Sequence, residues 1–360
     1  MNKPLLSASA LLFFASSLPA SPEMTLFWRF GRSPKKEEKA RETAPPVAQP
    51  VPGTTKPRPA AAQVTPKRKL TQEQIDANVR VQIFLDEQLF CPGKIDGRDG
   101  EIVTRALIRY QRSKGLPETG KPDGLPFPES SPYTEYTLTP EDAKWVGNLP
   151  SATAEQAKRQ FLPYASYQEF LGERYHCAQN FLEELNPGKK ISQLRPGDTV
   201  KVPAVEPFRI EDLKPVASMP ETPEFKSRRI KVIRNEKILE LTDEDKLLAA
   251  VPVTTGSATL PTPPGKWKIY GIATLPTFRW DEGVLNHGVR TGNYYMLPPG
   301  PNNPVGVVWC GLNRPGIGIH GTNSPETVGR AFSHGCIRVA NWDVVRLIRK
   351  ISPGMTVEIE

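Results

Sequence analysis

Two short segments near the C-terminal end of the chain combine residue types that can carry out covalent chemistry. They are His320-Gly321-Thr322-Asn323 and Ser333-His334-Gly335-Cys336-Ile337-Arg338. A cysteine thiolate is a strong nucleophile, but a free thiol with a pKa of about 8.5 is only slightly ionised at neutral pH. A neighbouring imidazole can accept the thiol proton and later donate a proton to a leaving amine. The two segments therefore predict acyl transfer through a cysteine nucleophile.

Glycine beside the cysteine supports this interpretation. Gly335 gives the chain the freedom for a tight bend that exposes the thiol and turns backbone amides toward a developing oxyanion. A zinc site built from the histidines at 287, 320 and 334 with Cys336 is the alternative, but it lacks a recognised metal-ligand spacing and would occupy the nucleophile. We therefore predict no metal, and no organic cofactor is expected because a thiol and an imidazole suffice for the chemistry.

The remaining cysteines and histidines are weaker candidates. Cys91, Cys177 and Cys310 either pair as disulfides or lie buried as thiols, and the sequence does not fix a connectivity. His287 lies in a loop that could border a cleft or simply face solvent, and His176 is expected to be structural.

The two segments, taken together, resemble the signature of the L,D-transpeptidase (YkuD-type) catalytic domain. Residues upstream agree with that resemblance over 227–360, namely Pro252-Val-Thr-Thr-Gly256, Thr262-Pro-Pro-Gly265-Lys-Trp267 and Pro299-Gly-Pro-Asn-Asn303-Pro-Val-Gly306. The resemblance implies that Cys336 is the nucleophile and that His320 is the general base and later the general acid. It also implies that the Gly321 carbonyl orients His320 in place of the carboxylate of a conventional triad.

The resemblance assigns supporting roles to the neighbours of Cys336. Amides around Gly335 and Cys336 would line the oxyanion hole. Ser333 and His334 would shape the site. Arg338 would either brace the loop or meet a carboxylate of the substrate.

The same resemblance implies peptidoglycan as the substrate. Cys336 would attack the bond after the third residue of a stem tetrapeptide, releasing D-alanine and forming a thioester. An amine of a neighbouring stem would resolve the thioester and make a 3→3 cross-link. Three alternatives remain at this point: an L,D-carboxypeptidase in which water is the acceptor, a tethering enzyme in which a lipoprotein lysine is the acceptor, and a non-catalytic wall-binding scaffold.

Charge and hydropathy restrict the possible partners. The formal net charge is +8, but residues 25–70 hold 11 basic and 3 acidic residues, whereas 71–360 carries 35 of each sign. A nucleic-acid-binding domain would carry its basic surface on the folded part, so we predict no nucleic-acid partner. The longest apolar run, from Pro4 to Ala20, is shorter than the roughly 20 residues of a membrane helix, so no integral membrane span is expected.

The start of the chain has the layout of a secretory signal peptide at 1–20. Lys3 precedes an apolar stretch containing Leu11-Leu12-Phe13-Phe14, and small residues follow up to Ala20. Residues 21–69, rich in proline and lysine, predict a disordered linker. These features favour an exported protein of the periplasm or cell wall.

Residues 70–125 predict two short helices around a turn-rich loop. The loop reads Gly93-Lys-Ile-Asp-Gly97 to Gly100, and Tyr110-Gln111 and Gly115-Leu116 follow it. This pattern resembles the small peptidoglycan-binding module of bacterial wall enzymes. A purely structural helical hairpin is the alternative.

Residues 160–205 predict two short helices, the first capped by Ser166, and then a turn and a strand at 194–203. This segment resembles a LysM module, although its usual Gly-Asp-Thr opening is replaced by Tyr164-Ala165-Ser166. A LysM-shaped spacer and a glycan-binding module remain equally open.

The C-terminal segment, 227–360, is predicted to be mainly β. Strand-like runs at 230–234 and 237–241 form a hairpin, and Asn341 is expected to cap a helix that ends before Pro353-Gly354. The complete prediction is a multidomain protein with a small helical peptidoglycan-binding-like module, a small α+β LysM-like module and a mainly-β L,D-transpeptidase domain.

Overall fold

A computed structural model describes residues 70–360 apart from Glu129 and Gly288, and gives only the backbone for 285–287. The signal peptide expected at 1–20 and the linker expected at 21–69 lie outside the described residues. Within this described part, no helix is both long enough and apolar enough to cross a bilayer.

Two helices and a tight loop form the N-terminal module, as the sequence predicts. They are α1 (Gln72–Glu87) and α2 (Glu101–Ser113). The Gln82 side chain of α1 donates a hydrogen bond to Asp96 at 2.9 Å and accepts one from the Gly97 amide at 2.9 Å. Gly97 has a φ of +65°, a conformation that glycine adopts without steric cost. One amide side chain thus fixes the Ile-Asp-Gly turn against the first helix.

The middle segment places its helices between two strands of one small sheet. Its elements in chain order are β1 (Tyr133–Thr137), α3 (Thr153–Gln156), α4 (Tyr167–Arg174), α5 (Gln179–Leu185) and β2 (Thr199–Pro203). β1 and β2 pair antiparallel. Ser166 caps α4 by accepting a hydrogen bond from the Glu169 amide at 3.1 Å, which confirms the predicted cap.

The predicted boundaries of this segment need one correction. The range 160–205 omits β1, which pairs with β2 from a position far upstream in the sequence. The two strands are separated by three helices, so no local hairpin signal marks them as partners. The LysM-like assignment of this segment stays a prediction.

The C-terminal segment is built on an eight-stranded sheet. Its elements in chain order are β3 (Arg228–Ile233), β4 (Ile238–Asp243), β5 (Lys246–Pro252), β6 (Gly265–Thr274), β7 (Phe278–Trp280), α6 (Glu282–His287), β8 (Tyr295–Leu297), β9 (Val308–Leu312), β10 (Gly318–His320), β11 (Ile337–Arg338), α7 (Asn341–Ile348) and β12 (Thr356–Ile359). The strand order is β11-β10-β9-β6-β12-β3-β4-β5, and β3 and β4 form the predicted hairpin. Ile230 and Val232 alternate with more exposed basic residues along β3, so one face of that strand packs into the core. The prediction of a mainly-β segment is confirmed.

A long excursion separates β6 from β9, and we call residues 275–307 the flap. β7 and β8 pair antiparallel within it. Buried Asp281 accepts hydrogen bonds from the amide and the hydroxyl of Thr291, both at 2.9 Å, and from Arg279 Nη2 at 3.0 Å. One carboxylate therefore holds the two arms of the flap together.

The N-terminal module covers the outer edge of the large sheet. β5 is the last strand of that sheet, and an unpaired edge strand leaves backbone donors and acceptors exposed. The Cys91 amide donates to the Ala250 carbonyl at 2.8 Å, and the Ala250 amide donates to the Leu89 carbonyl at 2.9 Å. Phe90, between them, is buried. The first module is thus joined to the sheet by backbone pairing.

Four charged or titratable side chains meet in the interior where the three segments join, and we call them the junction cluster: Asp86, His176, Asp343 and Arg346. Arg346 donates to Asp86 at 2.8 Å and to Asp343 at 2.6 Å, while His176 Nδ1 lies 3.0 Å from Asp86. Burial alone would raise the pKa of Asp86, but His176 and Arg346 hold that pKa well below its usual range. The cluster links α1, the α4–α5 turn and α7 through complementary charge.

We predict that Arg346→Leu destabilises the protein by about 3 kcal/mol, because it leaves two buried carboxyl groups without their cation. Urea unfolding followed by far-UV circular dichroism measures the change. Arg349→Leu, which removes an exposed arginine from the end of the same helix, is the matched control and should be close to neutral. Equal stability losses in the two variants would contradict the role given to the junction cluster.

Candidate active site

The loop that carries Cys336 is clamped on one side by the segment after β5. The Ser333 amide donates to the Thr255 carbonyl at 2.8 Å, and Thr254 and Arg338 exchange two backbone hydrogen bonds of 2.9 Å each. Ser333 Oγ donates to the Cys336 carbonyl at 2.5 Å. Backbone hydrogen bonds with Thr254 and Thr255 thus hold both ends of the loop that carries Cys336.

Gly335 makes the bend that the sequence predicts. Its φ is +111°, a conformation that a side chain would strain. Its amide donates to Ser333 Oγ at 3.2 Å, so in this arrangement the amide is engaged within the loop. The resemblance places amides of both Gly335 and Cys336 in an oxyanion hole. The observed contact means that the Gly335 amide must leave Ser333 before it can serve there.

His320 ends β10 and is held by its own backbone. Its Nδ1 lies 2.6 Å from the Gly321 carbonyl oxygen, the contact that the resemblance implies. A carbonyl can only accept, so Nδ1 carries the proton and Nε2 of the neutral ring is left as a free base. The Trp309 indole stacks on the imidazole with ring centroids 5.4 Å apart. These contacts fix both the tautomer and the plane of the ring.

The register of β10 and β11 places the Arg338 residue beside His320, close to the Cys336 thiol. β10 and β11 run parallel, with His320 opposite Arg338. Cys336 directly precedes β11, and the amide of Gly318 on β10 interacts with its thiol. The electrostatic influence of Arg338 reaches His320, Cys336 and His334, consistent with this placement.

Burial sets the protonation states of the pair. His320 is only 4% exposed, and burial, with a smaller contribution from Arg338, lowers its pKa to about 4. Burial also raises the pKa of the Cys336 thiol, against the lowering effects of the Gly318 amide and Arg338. At neutral pH the resting site therefore holds a neutral thiol and a neutral imidazole. A proton transfer between them must accompany the attack of sulfur on an acyl group.

A cleft of about 690 Å³ lies next to the thiol. Cys336 is partly exposed, and its Sγ donates to the Gly316 carbonyl at 3.3 Å. Gly316 and Trp309 line the cleft together with residues of the flap, including Arg279 and Arg290.

Arg338 is an uncommitted cation beside the thiol. Its backbone pairs with Thr254, but among the described residues no carboxylate forms an ion pair with its guanidinium. It is partly buried, and that burial lowers its pKa. The backbone braces the loop and the side chain is open to an anion, so the structure accommodates both predicted roles.

The other histidines and cysteines considered in the sequence analysis are not part of the arrangement of His320 and Cys336. His334 is exposed on the cysteine loop. His176 lies in the junction cluster, and the side chain of His287 is outside the described part. Cys91, Cys177 and Cys310 are buried free thiols, which decides between the two possibilities that the sequence left open.

Asn341 lies beside the site, and its predicted role as the cap of α7 is wrong. It was expected to cap α7, but Ala340 occupies the N-cap and Asn341 is the first helical residue. Its Oδ1 accepts the amide hydrogens of Val307 at 3.1 Å and Thr322 at 3.2 Å. Asn341 thus binds the backbone immediately after the Gly321 carbonyl. No spacing in the sequence signals this contact.

Among the residues that the structure describes, one cluster has donor atoms close enough for a metal ion. The Asp86 and Asp343 carboxyl groups and the Cys91 thiol have ligand atoms within 4.8 Å of one another. The Arg346 guanidinium contacts all three, at 2.8, 2.6 and 3.6 Å respectively. It already supplies the positive charge at the centre of the cluster. The donor set therefore does not fit an added cation.

Comparison with known families accounts for this geometry. Residues 227–359 match the family model of the L,D-transpeptidase catalytic domain, named YkuD, and residues 78–125 match a peptidoglycan-binding domain. The chain carries an L,D-transpeptidase catalytic domain. The cysteine loop, β10 and the flap all belong to it. The protein is thus an enzyme of the L,D-transpeptidase class, and the helical N-terminal module is its peptidoglycan-binding domain.

Curated relatives agree with the family match. YkuD of Bacillus licheniformis is 26% identical over 191 residues, which is 53% of this chain and 92% of the relative. YkuD and YqjB of Bacillus subtilis are each 36% identical, over 24% and 26% of this chain. This chain covers 53% and 60% of those two relatives. All three are named as L,D-transpeptidases.

Solved structures show a more distant likeness. The catalytic domain of the Enterococcus faecium L,D-transpeptidase acylated by ertapenem is 20% identical, with a TM-score of 0.30, over 39% of this chain and 98% of that one. An L,D-transpeptidase from Mycobacterium smegmatis is 18% identical with a TM-score of 0.31, over 37% of this chain and 58% of that one. The assignment rests on the family match.

We predict that alkylation of Cys336 by iodoacetamide rises with pH along a titration with an apparent pKa above that of free cysteine. Burial raises the pKa of the thiol, and a neutral imidazole offers no positive charge to the thiolate. Intact-protein mass measured across a pH series gives the rate. Cys336→Ser is the control and should remain unlabelled, because the other three thiols are buried. A reactive plateau well below neutral pH would instead reveal a thiolate–imidazolium pair.

Proposed function

We propose that the protein is a cysteine L,D-transpeptidase that joins peptidoglycan stem peptides through 3→3 cross-links. One observation carries the proposal: a neutral imidazole with its proton fixed on Nδ1 ends β10, and the Cys336 thiol lies against the Gly318 amide of the same strand while its hydrogen-bond partner Gly316 lines a cleft. This arrangement can accept a proton from sulfur and return it to a leaving amine. The family match supplies the substrate class.

In the first half-reaction His320 Nε2 accepts the proton of the Cys336 thiol. The sulfur attacks the carbonyl carbon of the third residue of a tetrapeptide stem, and the electron pair of that carbonyl moves to its oxygen. The intermediate then collapses, breaking the bond to D-alanine, and His320 donates its proton to the leaving amine. A thioester on Cys336 and free D-alanine are the products.

In the second half-reaction an amine of a neighbouring stem attacks the thioester. His320 accepts a proton from that amine and donates it to the departing Cys336 sulfur. An amide bond forms, the C–S bond breaks and the resting thiol is restored. No redox partner is required, since every step transfers only protons and an acyl group.

We assign the Cys336 amide as the first donor to the oxyanion. The Gly335 amide can join it only by releasing Ser333 Oγ, which also binds the Cys336 carbonyl. Backbone amides in a site that excludes water stabilise a developing oxyanion strongly. Ser333 therefore controls whether one amide or two face the intermediate.

Cations around the cleft suit a substrate rich in carboxylates. Arg338 presents an unpaired guanidinium beside the thiol, and Arg290 of the flap lines the cleft. A stem peptide carries a terminal carboxylate close to the bond that is cleaved. We assign Arg338 to that carboxylate because it lies closest along the strand to Cys336. The proposed site of action is the cell wall, which the enzyme reaches by export.

Incubating the full-length protein with purified disaccharide-tetrapeptides, followed by mass spectrometry, tests the function. We predict 3→3 linked dimers and an equal amount of released D-alanine. The Cys336→Ser variant should fold normally and yield neither product, because a serine hydroxyl is far less acidic and His320 has no carboxylate partner to drive it.

Other products would identify the alternatives. Tripeptides alone would indicate that water is the acceptor and that the enzyme is an L,D-carboxypeptidase. Transfer only to an added lysine peptide would indicate tethering of a protein. No release of D-alanine under any of these conditions would contradict the catalytic proposal.

A further inference from the structure

Helix α4 of the middle segment presents two carboxyl groups to the L,D-transpeptidase domain. Glu169 Oε1 accepts a hydrogen bond from Asn302 Nδ2 of the flap at 2.8 Å. Glu173, one turn later, is 4% exposed and faces the side chains of Asn341 and Tyr164. A buried carboxyl group is costly unless it has a partner, so its placement against another domain needs an explanation.

The partner that the structure offers is the amide nitrogen of Asn341. Asn341 Oδ1 is committed to two backbone amides, those of Val307 and Thr322, which leaves Nδ2 pointing away from them. Nδ2 of Asn341 and Oε1 of Glu173 are both buried, and neither completes a full hydrogen bond as it stands. The Asn341 side chain lowers the pKa of Glu173, so a buried donor and a buried acceptor that lack other partners lie near each other.

Asn341 in turn lies directly against the backbone that orients His320. A Cβ placed on Gly321 would lie 2.1 Å from Asn341 Oδ1, and so would a Cβ placed on Gly306. The side-chain oxygen therefore fills the space that a residue other than glycine would need at either position. The Gly321 carbonyl that receives His320 Nδ1 belongs to the same peptide unit as the Thr322 amide. Any rotation of the Asn341 amide would disturb that unit.

We propose that Glu173 is a positioning residue for catalysis, which fixes the amide orientation of Asn341 and through it the Gly321 carbonyl that holds His320. The proposal rests on the function proposed above, in which His320 moves the proton. It makes the middle segment a structural part of the active site, whatever its affinity for glycans.

The chemistry of the contact requires an acceptor and not a charge. Burial raises the pKa of Glu173 to about 8, with Asn341 and Tyr164 lowering it and Glu169 raising it. The carboxyl group is thus neutral at pH 7, and its carbonyl oxygen can still accept from Asn341. If this acceptor is lost, the buried Nδ2 group of Asn341 has no polar partner nearby. The Asn341 side chain can then shift within its site, and the Val307 and Thr322 amides that its oxygen holds shift with it.

Three variants of the full-length protein separate this role from mere packing. Glu173→Leu removes the acceptor, Glu173→Gln keeps a neutral side chain with an accepting carbonyl, and Glu169→Leu removes the other carboxyl contact of the same helix. The first readout is the rate at which ertapenem acylates Cys336, followed by intact mass. The second is the ¹⁵N chemical shifts of the His320 ring, which report the tautomer directly.

We expect Glu173→Leu to lower the acylation rate by about 10- to 100-fold, the scale of a misplaced catalytic group. Its His320 ¹⁵N shifts should move from the Nδ1–H pattern toward a mixture of tautomers. Glu173→Gln should keep both the rate and the shifts of the parent. Glu169→Leu should also keep them, since Asn302 does not contact the His320 backbone.

Parent-like acylation and parent-like His320 shifts in Glu173→Leu would overturn the proposal, as would equal losses in Glu173→Leu and Glu169→Leu. If Glu173→Leu does not fold, Glu173→Ala takes its place, since it also removes the acceptor and should lower the acylation rate and change the His320 ring shifts in the same way. Parent-like acylation and parent-like His320 shifts in Glu173→Ala would then overturn the proposal. Failure of the parent to react with ertapenem would count against the proposed function, whereas the ¹⁵N pattern still tests Glu173.

Discussion

The hydrogen bond from His320 Nδ1 to the Gly321 carbonyl, 2.6 Å long, is the contact on which the proposed chemistry depends. In a conventional triad a carboxylate holds the histidine and can be placed by rotating a side chain. Here a backbone carbonyl oxygen holds the histidine. Its position therefore depends on the conformation of the chain around Gly321. The surrounding structure must therefore fix one peptide unit.

Several elements meet that requirement from different directions. Pairing of β10 with β9 and β11 fixes the strand, and Trp309 covers one face of the imidazole. Asn341 at the start of α7 binds the amide after Gly321. The neutral resting pair has the same origin, because the Gly321 carbonyl favours the imidazolium less than burial disfavours it, and the pKa of His320 falls to about 4.

Direct contacts also fix the peptidoglycan-binding domain and the middle segment against the catalytic domain. The peptidoglycan-binding domain is joined to β5 by backbone pairing, and its Asp86 lies in the junction cluster with Arg346. Glu326 of the catalytic domain forms an ion pair with Lys94 and accepts a hydrogen bond from the Gln179 amide of the middle segment. The wall-binding and catalytic parts of residues 70–360 are therefore packed together, with no free linker between them.

The sequence was sufficient for features that are encoded locally. The cysteine loop, the two-helix module and the β3–β4 hairpin each follow from contiguous residues, and the structure has all three. It was insufficient where a residue acts on a distant partner. Asn341 has the type and position of a helix cap, yet its oxygen binds Val307 and Thr322. β1 was missed because its partner strand lies beyond three helices, and Glu173 is an unremarkable helical residue until the domains are packed.

The central claim is that His320, held by the backbone, moves the proton, and that His334 beside the nucleophile does not. Acylation of Cys336 by ertapenem, followed by intact mass in His320→Ala and His334→Ala, tests it most directly. Loss of a positioned acid–base group should lower the rate by about 10²–10⁴-fold in His320→Ala, and His334→Ala should lose much less. If His334→Ala stops acylation while His320→Ala retains it, the two histidines have the opposite roles and the account is wrong.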